Sequence, residues 1–252
     1  MRILLINGNI TAAITERCAA SARKVAAVGT EIVPVTARVG PRIIGTRTEN
    51  VLAAPEVLRL YAEHRDNMDA VIIAVSLDTG LDALREAAGC PVVGMTEAGL
   101  LLAAMLGGPI GFVAPGTRSL NMYRDVVARV GLQARIAGYQ AIDMAPSDFE
   151  DPTRSLTLVG DACRRLVEHG AESILLAGAA FAGSTPALEQ GVPVPLVDGI
   201  AAAVVMAEGL ARLGFSKPRA GSHAVLPARE FVGLDPVFTR LFERGAQRGQ
   251  VS

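Results

Sequence analysis

Ala70-Val71-Ile72-Ile73-Ala74-Val75 is a continuous apolar run. It is followed by a glycine turn at Gly80, by Cys90-Pro91-Val92-Val93, and by an apolar helix-like run ending at Leu106-Gly107. Ser173-Ile174-Leu175-Leu176-Ala177-Gly178, then Gly183, Val192-Pro193-Val194-Pro195 and a run ending at Leu213-Gly214 repeat that order. The openings Ile3-Leu4-Leu5-Ile6-Asn7-Gly8 and Ile110-Gly111-Phe112-Val113-Ala114-Pro115 fit the same scheme, so the chain contains one unit twice. Apolar runs without alternation are strands buried on both faces, as in parallel sheets. Strands alternating with helices imply right-handed crossovers. The predicted fold is α/β: two pseudo-symmetric, doubly wound parallel-sheet lobes of flavodoxin-like type. The first lobe takes residues 1–97 plus 215–252 and the second takes 98–214, with a small-molecule site between them.

Working outward, strands are expected at Arg2–Asn7, Glu31–Val35, Ala70–Val75, Pro91–Met95, Ile110–Ala114, Ser173–Ala177 and Val194–Val197, with a weak one at Ala134–Ala137. Helices are expected at Ala12–Val28 with Thr11 as N-cap, and at Pro55–Arg65, Leu81–Ala88, Glu97–Leu106, Arg118–Val130, Asp151–His169 and Ile200–Leu213. A basic helix is expected at Val237–Gly245. Val39–Thr48, rich in Gly, Pro and Arg, reads as a loop. Ligands of such sheets bind beyond the carboxyl ends of the strands. This gathers Asn7-Gly8-Asn9, Ser76–Gly80, Pro115–Arg118 and Ala179–Thr185 around one cleft.

Composition narrows the function. The chain has 252 residues, half of them hydrophobic and 19% charged, so a sizeable core is available. A formal net charge of −1 without a basic stripe argues against nucleic acid as partner. Met1 leads into an apolar strand without a basic preamble, so no signal peptide is expected. The apolar run 98–105 is too short to span a bilayer, so no membrane partner is expected either. Three cysteines, Cys18, Cys90 and Cys163, lack metal-ligand spacing and suit a reducing, cytoplasmic setting. Neither a cofactor nor a metal is called for. Gly107-Gly108-Pro109-Ile110-Gly111 enters a strand and is not a phosphate loop.

Four segments carry a resemblance. Ile6-Asn7-Gly8-Asn9-Ile10-Thr11, Asp78-Thr79-Gly80-Leu81, Pro91-Val92-Val93-Gly94 with Glu97-Ala98, and Pro193 to Gly199 (Pro-Val-Pro-Leu-Val-Asp-Gly) occur in this order. Together they resemble the hydantoin/allantoin racemase branch of the aspartate/glutamate racemase superfamily. That resemblance implies a cofactor-independent enzyme and a homo-oligomer. It also implies one cysteine in each half, which exchange a proton on opposite faces of a carbon next to a carbonyl. The corresponding positions here are Val75 and Gly178, neither of which can carry a proton. Losing one positioned acid/base group typically costs about 10²–10⁴-fold, so two-cysteine racemisation is not expected of this chain.

Other groups remain for chemistry. Asp78 and Ser76 are the catalytic candidates, as carboxylate base and hydroxyl. Ser76-Leu77 also resembles the arylmalonate decarboxylase branch, in which hydroxyls of this loop hold a carboxylate. Thr79 adds a hydroxyl, and backbone N–H groups at Gly80 and Gly183 could bind an oxyanion. Ser184 and Thr185 add donors on the second side, Thr117 and Arg118 could clamp an anion, and Phe181 shapes the pocket. The resemblance gives Asn9 an orienting role and brings His223 of the tail back to the cleft.

Each candidate has a plainer role beside it. Asp78 equally fits a cap for the helix beginning near Gly80. Ser76 reads as a binding hydroxyl, because no histidine is placed near it. His64 and His169 suit a solvated face and a helix C-terminus. Glu97 and Asp198 suit helix capping or backbone pairing at the seam between lobes, and Arg42 and Arg47 suit a solvated loop. The expectation is therefore a racemase-superfamily enzyme acting on a small cyclic ureide or carboxylate by carbonyl or carboxylate polarisation with a non-thiol acid/base. The alternatives are a lyase or hydrolase on the same fold, decarboxylase-like or opening an amide ring, and a non-catalytic binding protein for a small ligand.

Overall fold

Each apolar run forms a central strand. The computed structural model describes residues 1–144, 152–215, 217–227, 229 and 231–242. In the first sheet β1 (Arg2–Asn7), β2 (Glu31–Thr36), β3 (Ala70–Ile73) and β4 (Val92–Gly94) lie in the order β2-β1-β3-β4. In the second, β5 (Ile110–Pro115), β6 (Ile136–Ile142), β7 (Ser173–Leu176) and β8 (Leu196–Asp198) lie in the order β6-β5-β7-β8. Every pairing is parallel. Helices α1 (Ala12–Val25), α2 (Arg47–His64), α3 (Leu81–Ala87) and α4 (Met95–Met105) follow the first four strands, and α5 (Leu120–Val130) follows β5. They are joined by α6 (Pro152–Glu168), the one-turn α7 (Thr185–Leu188) and α8 (Gly199–Leu213). The two-lobed α/β architecture is thus present, with one strand order in both halves.

Several boundaries differ from the sequence expectation for identifiable reasons. Helix α2 starts at Arg47 rather than Pro55, because Thr46 accepts from the Glu49 N–H and Glu49 accepts from Gly45 N–H. This is a Thr-x-x-Glu start that overrides the Gly/Pro character of the preceding loop. Strand β6 runs to Ile142 because pairing with β5 supplies its hydrogen bonds and Tyr139 packs on Phe112. Thr11 stands at the N-cap of α1, but its hydroxyl donates to the Arg42 carbonyl instead. Towards the tail, a 3₁₀ segment, Pro236–Leu241, replaces the first part of the expected basic helix. The remainder of that helix, and Asp151, lie outside the described residues.

The lobes are joined by an exchange of helices. Helix α4 leaves the first sheet and packs on β7 and β8, while α8 leaves the second and packs on β3, β4 and α1. Their first turns cross with almost no clearance: a Cβ on Gly199 would stand 2.7 Å from the Met95 carbonyl oxygen. Backbone cannot yield there as a flexible side chain can. We therefore predict that Gly199→Ala costs about 1–3 kcal/mol, as overpacking does. Urea unfolding would show this as a lower midpoint at unchanged slope. An unchanged midpoint would mean that the crossing is looser than its geometry.

Candidate active site

Loops at the carboxyl ends of β1, β3 and β7 carry most of the candidate residues. The first is held by its own amides. Asn7 Nδ2 donates to Asn9 Oδ1 at 3.1 Å, the Asn9 N–H returns to Asn7 Oδ1 at 3.1 Å, and Thr11 N–H also reaches Asn9 Oδ1 at 2.9 Å. The carbonyl oxygen of Asn9 therefore fixes the loop. Its Nδ2 has no acceptor among the described residues.

The second loop carries a hydroxyl pair that sequence reasoning found only in part. Ser76 Oγ lies 2.7 Å from Tyr123 Oη, and Tyr123, on α5 of the other lobe, is fully buried. Burial pushes the Tyr123 phenol well above its usual range, with Asp78 adding to the effect and the Ser76 bond opposing it. The phenol therefore stays protonated. A signal for Tyr123 existed: it falls on the buried stripe Met122, Tyr123, Val126, Val127 of an amphipathic helix, and a buried tyrosine hydroxyl needs a partner. Beside this pair, Thr79 donates to Asn50 Oδ1 of α2 at 2.5 Å. Gly80 closes the turn at φ +73°, which suits a glycine.

Asp78 occupies neither of the places foreseen for it. Its side chain is fully buried. Oδ1 accepts from Thr96 N–H at 3.0 Å and Oδ2 from Glu97 N–H at 2.9 Å, so it caps α4 rather than the helix after Gly80. Thr96 Oγ1 in turn donates to the Ser76 carbonyl at 2.6 Å. Asp78 has φ +50°, and a Cβ on Gly94 would stand 2.5 Å from its carboxyl carbon, so glycine is required beneath it. Burial raises its pKa to about 7, against the two amides that lower it; Glu97 raises it further and Arg129 lowers it. The carboxyl thus holds the Ser76 loop on the helix.

The third loop faces the first lobe. Arg17 donates to the Ala180 carbonyl at 2.5 Å, and Ser21 Oγ donates to Asp198 Oδ2 at 2.9 Å. The Gly183 N–H donates to the same Oδ2 at 2.6 Å, so this amide is engaged rather than open to an oxyanion. Asp198 also caps α8 through Ile200 and Ala201, the role expected of it at the seam. Phe181 is buried with its ring 2.6 Å from where a Cβ on Gly178 would stand. Ser184 and Thr185 follow, half-buried, at the start of α7.

Two further sets remain, one at the carboxyl end of β5 and one in the tail. Thr117 and Arg118 are exposed, and both donors of Thr117 go to the Asp143 carboxylate at 2.7 and 2.6 Å. The Gly45 N–H is the main cause that lowers the Glu49 pKa, burial opposes it, and Thr46 and then the nearby Arg118 lower it further. His223 does not return to the loops. It lines a cavity of about 300 Å³ with Cys90 and Lys217, at the amino end of β4. The tail is held there by Lys217, which donates to the Arg85, Glu86 and Ala88 carbonyls around the end of α3. None of the three thiols is activated. Burial pushes Cys18 and Cys163 up to about 12 and Cys90 up to about 11. Among the described residues no group of three or more acidic, histidine or cysteine side chains could hold a metal, and no helix is long and apolar enough to cross a membrane.

A two-lobed parallel α/β fold with its loops converging on the seam defines the class, and comparison defines the family. The sequence profile of the Asp/Glu/hydantoin racemase family matches residues 3–207. A hydantoin racemase of Pseudomonas sp. (strain NS671) is 33% identical over 95% of this chain and 98% of its own. The crystal structure of an allantoin racemase from Pseudomonas fluorescens superposes with a TM-score of 0.88 at 36% identity, covering 92% of this chain and all of that one. An allantoin racemase from Klebsiella pneumoniae gives 0.88 at 34% identity, covering 96% and 98%. The chain belongs to the Asp/Glu/hydantoin racemase family, in the branch of the hydantoin and allantoin racemases, and is an enzyme of the racemase/isomerase type.

The Asp78 environment makes a signed prediction. The folded pKa, about 7, lies above the ordinary 3.8 of the unfolded chain. The stability that this group contributes is therefore fully present below about pH 4 and is lost as pH rises through about 7. The slope approaches roughly 1.4 kcal/mol per pH unit between those values. Asp78→Asn, which does not titrate and turns a donor toward two N–H groups, should unfold more easily at pH 5, by about 1–3 kcal/mol. Its deficit relative to the native chain should shrink by pH 8. A deficit constant across pH would show that Asp78 is ionised throughout.

Proposed function

We propose that this enzyme exchanges the proton of the carbon next to a ring carbonyl in a small cyclic ureide of the hydantoin–allantoin class, without a thiol. Support for the substrate class comes from the near full-length match to allantoin racemases, at a TM-score of 0.88. Support for the chemistry comes from the Ser76–Tyr123 pair at 2.7 Å beside Val75. The protonated phenol donates to Ser76 Oγ, which leaves the serine proton to donate to a substrate carbonyl oxygen. Polarising that oxygen stabilises the enolate formed when the α-proton departs, as donors to a developing oxyanion do. The Asn9 amide N–H₂ is the second donor. Asp78 acts as a positioning residue, holding Ser76 through α4; the α-proton passes to water, and a proton from solvent returns to the enolate carbon. Water is a weaker partner than a thiolate, so turnover is slow. The enzyme works as a homo-oligomer in the cytoplasm, as the family resemblance and cysteine usage suggest.

The test is proton NMR in heavy water with separate L- and D-forms of allantoin and 5-substituted hydantoins, set against the rate without enzyme. Deuterium should enter the α-position with the ring intact, and should still do so in a variant with Cys18, Cys90 and Cys163 replaced by Ala. Tyr123→Phe should slow this exchange by about 10–100-fold with little change in KM. Exchange that disappears with the cysteines, or no exchange above the blank, would sink the proposal. In the other direction, Val75→Cys supplies an acid/base group beside Ser76 and should raise the exchange rate at least about 10²-fold. Gly178→Cys should not, because the Phe181 ring occupies the space its Cβ needs.

A further inference from the structure

A second cavity lies between the lobes, behind the loop that carries Ser76. It has a volume of about 130 Å³ and is walled by α2 of the first lobe and α5 of the second, with Leu77 between them. Leu77, Met122 and Val126 give it an apolar floor. Its polar lining is the donors of Arg47, Asn50 and Arg129 together with the Asp125 carboxylate. Arg129 reaches in from α5, and its one charged partner among the described residues is the buried Asp78 carboxyl at 3.9 Å, beyond hydrogen-bond distance. Among the described residues the Arg129 guanidinium donates no hydrogen bond. Asn50 uses its carbonyl oxygen for Thr79, and its N–H₂ has no acceptor among the described residues. Arg47 completes the rim, and the acidic group there, Asp125, is already paired with it at 2.6 Å.

A guanidinium and an amide with unused donors, facing each other across an apolar floor, match a planar oxyanion with a short hydrocarbon tail. We propose that this seam pocket binds a small aliphatic carboxylate, held by Arg129 and Asn50 with Arg47 at the rim. The site is linked to the candidate active site by its own walls. Leu77 adjoins Ser76, Asn50 holds Thr79, and Arg129 faces Asp78. A ligand that binds one arrangement of these walls more tightly shifts the loop toward it. A bound carboxylate would therefore rest against residues 76–80 through these walls and steady them.

Calorimetry of the full chain with sodium butyrate tests this without any ring substrate, so its outcome is independent of the proposed reaction. Butyrate should bind once per chain with Kd near 1 mM, about 4 kcal/mol. Arg129→Met and Asn50→Leu should each weaken it roughly tenfold or more, with circular dichroism unchanged. If Arg129→Met does not fold, Arg129→Lys, which keeps the charge and loses the fork, should weaken it as well. Bound butyrate should slow amide hydrogen exchange in residues 76–80. Absence of saturable heat would overturn the proposal, as would equal affinity in all variants. So would loss of binding in Ser76→Ala alone, which would place the carboxylate in the cleft. Inorganic phosphate binding as tightly as butyrate would overturn the carboxylate class.

Discussion

The first turns of α4 and α8 are buried where the lobes meet, and their N–H groups must find acceptors there. Helix starts leave four such donors without intrahelical partners, and where they are buried the protein itself must supply acceptors. Asp78 meets this need for α4 and Asp198 for α8. Each aspartate then fixes more than a helix. Asp78 is two residues from Ser76 and sets that loop on the first sheet, while Asp198 pulls in Gly183 N–H and Ser21 across the seam. Gly199 lets the two capped helix starts meet backbone to backbone. Loop positions on both sides of the candidate cleft thus depend on a pair of carboxylates at the ends of exchanged helices.

That dependence explains which parts of the structure were legible in the sequence. The strands were, because β1, β3, β5 and β7 are buried on both faces and read as unbroken apolar runs. The duplication was legible because both halves keep one order of strand, glycine turn and Pro-led strand. Helix α2 extends ahead of its expected start at Pro55, because the Thr46–Glu49 cap sets the boundary and the proline is accommodated inside the helix. Strand β6 lies further along than the expected Ala134–Ala137, which it meets only at Ile136 and Ala137, because its residues are mostly half-buried and its pairing is non-local.

The site was legible by neighbourhood and not by partner. Sequence position brought Asn9, Ser76, Thr79, Phe181 and Gly183 to strand ends, as observed. It did not show that Gly183 N–H and the donors of Thr117 are already engaged, because Asp198 and Asp143 come from 15 and 26 residues further along. Nor did it pair Ser76 with Tyr123, 47 residues away on the other lobe. His223 was misplaced for a related reason: the anchoring of Lys217 on the end of α3 carries the tail to the amino end of β4.

The two positions at which the family resemblance implies thiols have closed in different ways. At Val75 a branched apolar side chain fills the space beside Gly8, where a Cβ would stand 3.3 Å from Val75 Cγ2. At Gly178 it is the Phe181 ring, three residues on, that fills the space. The first half retains polar groups next to the closed position, because Ser76 and Tyr123 complete each other's hydrogen bonding in a buried setting. In the second half the neighbours Ala177, Ala179 and Ala182 are apolar and buried. Beside the two closed positions, an intermediate held between the lobes would meet a buried hydroxyl pair on the first side and alanines on the second, where the nearest hydroxyls are those of Ser184 and Thr185. That asymmetry favours polarising a carbonyl over passing a proton from face to face. The Ser76 loop is thus where the proposed chemistry, the Asp78 cap of α4 and the proposed seam pocket would converge.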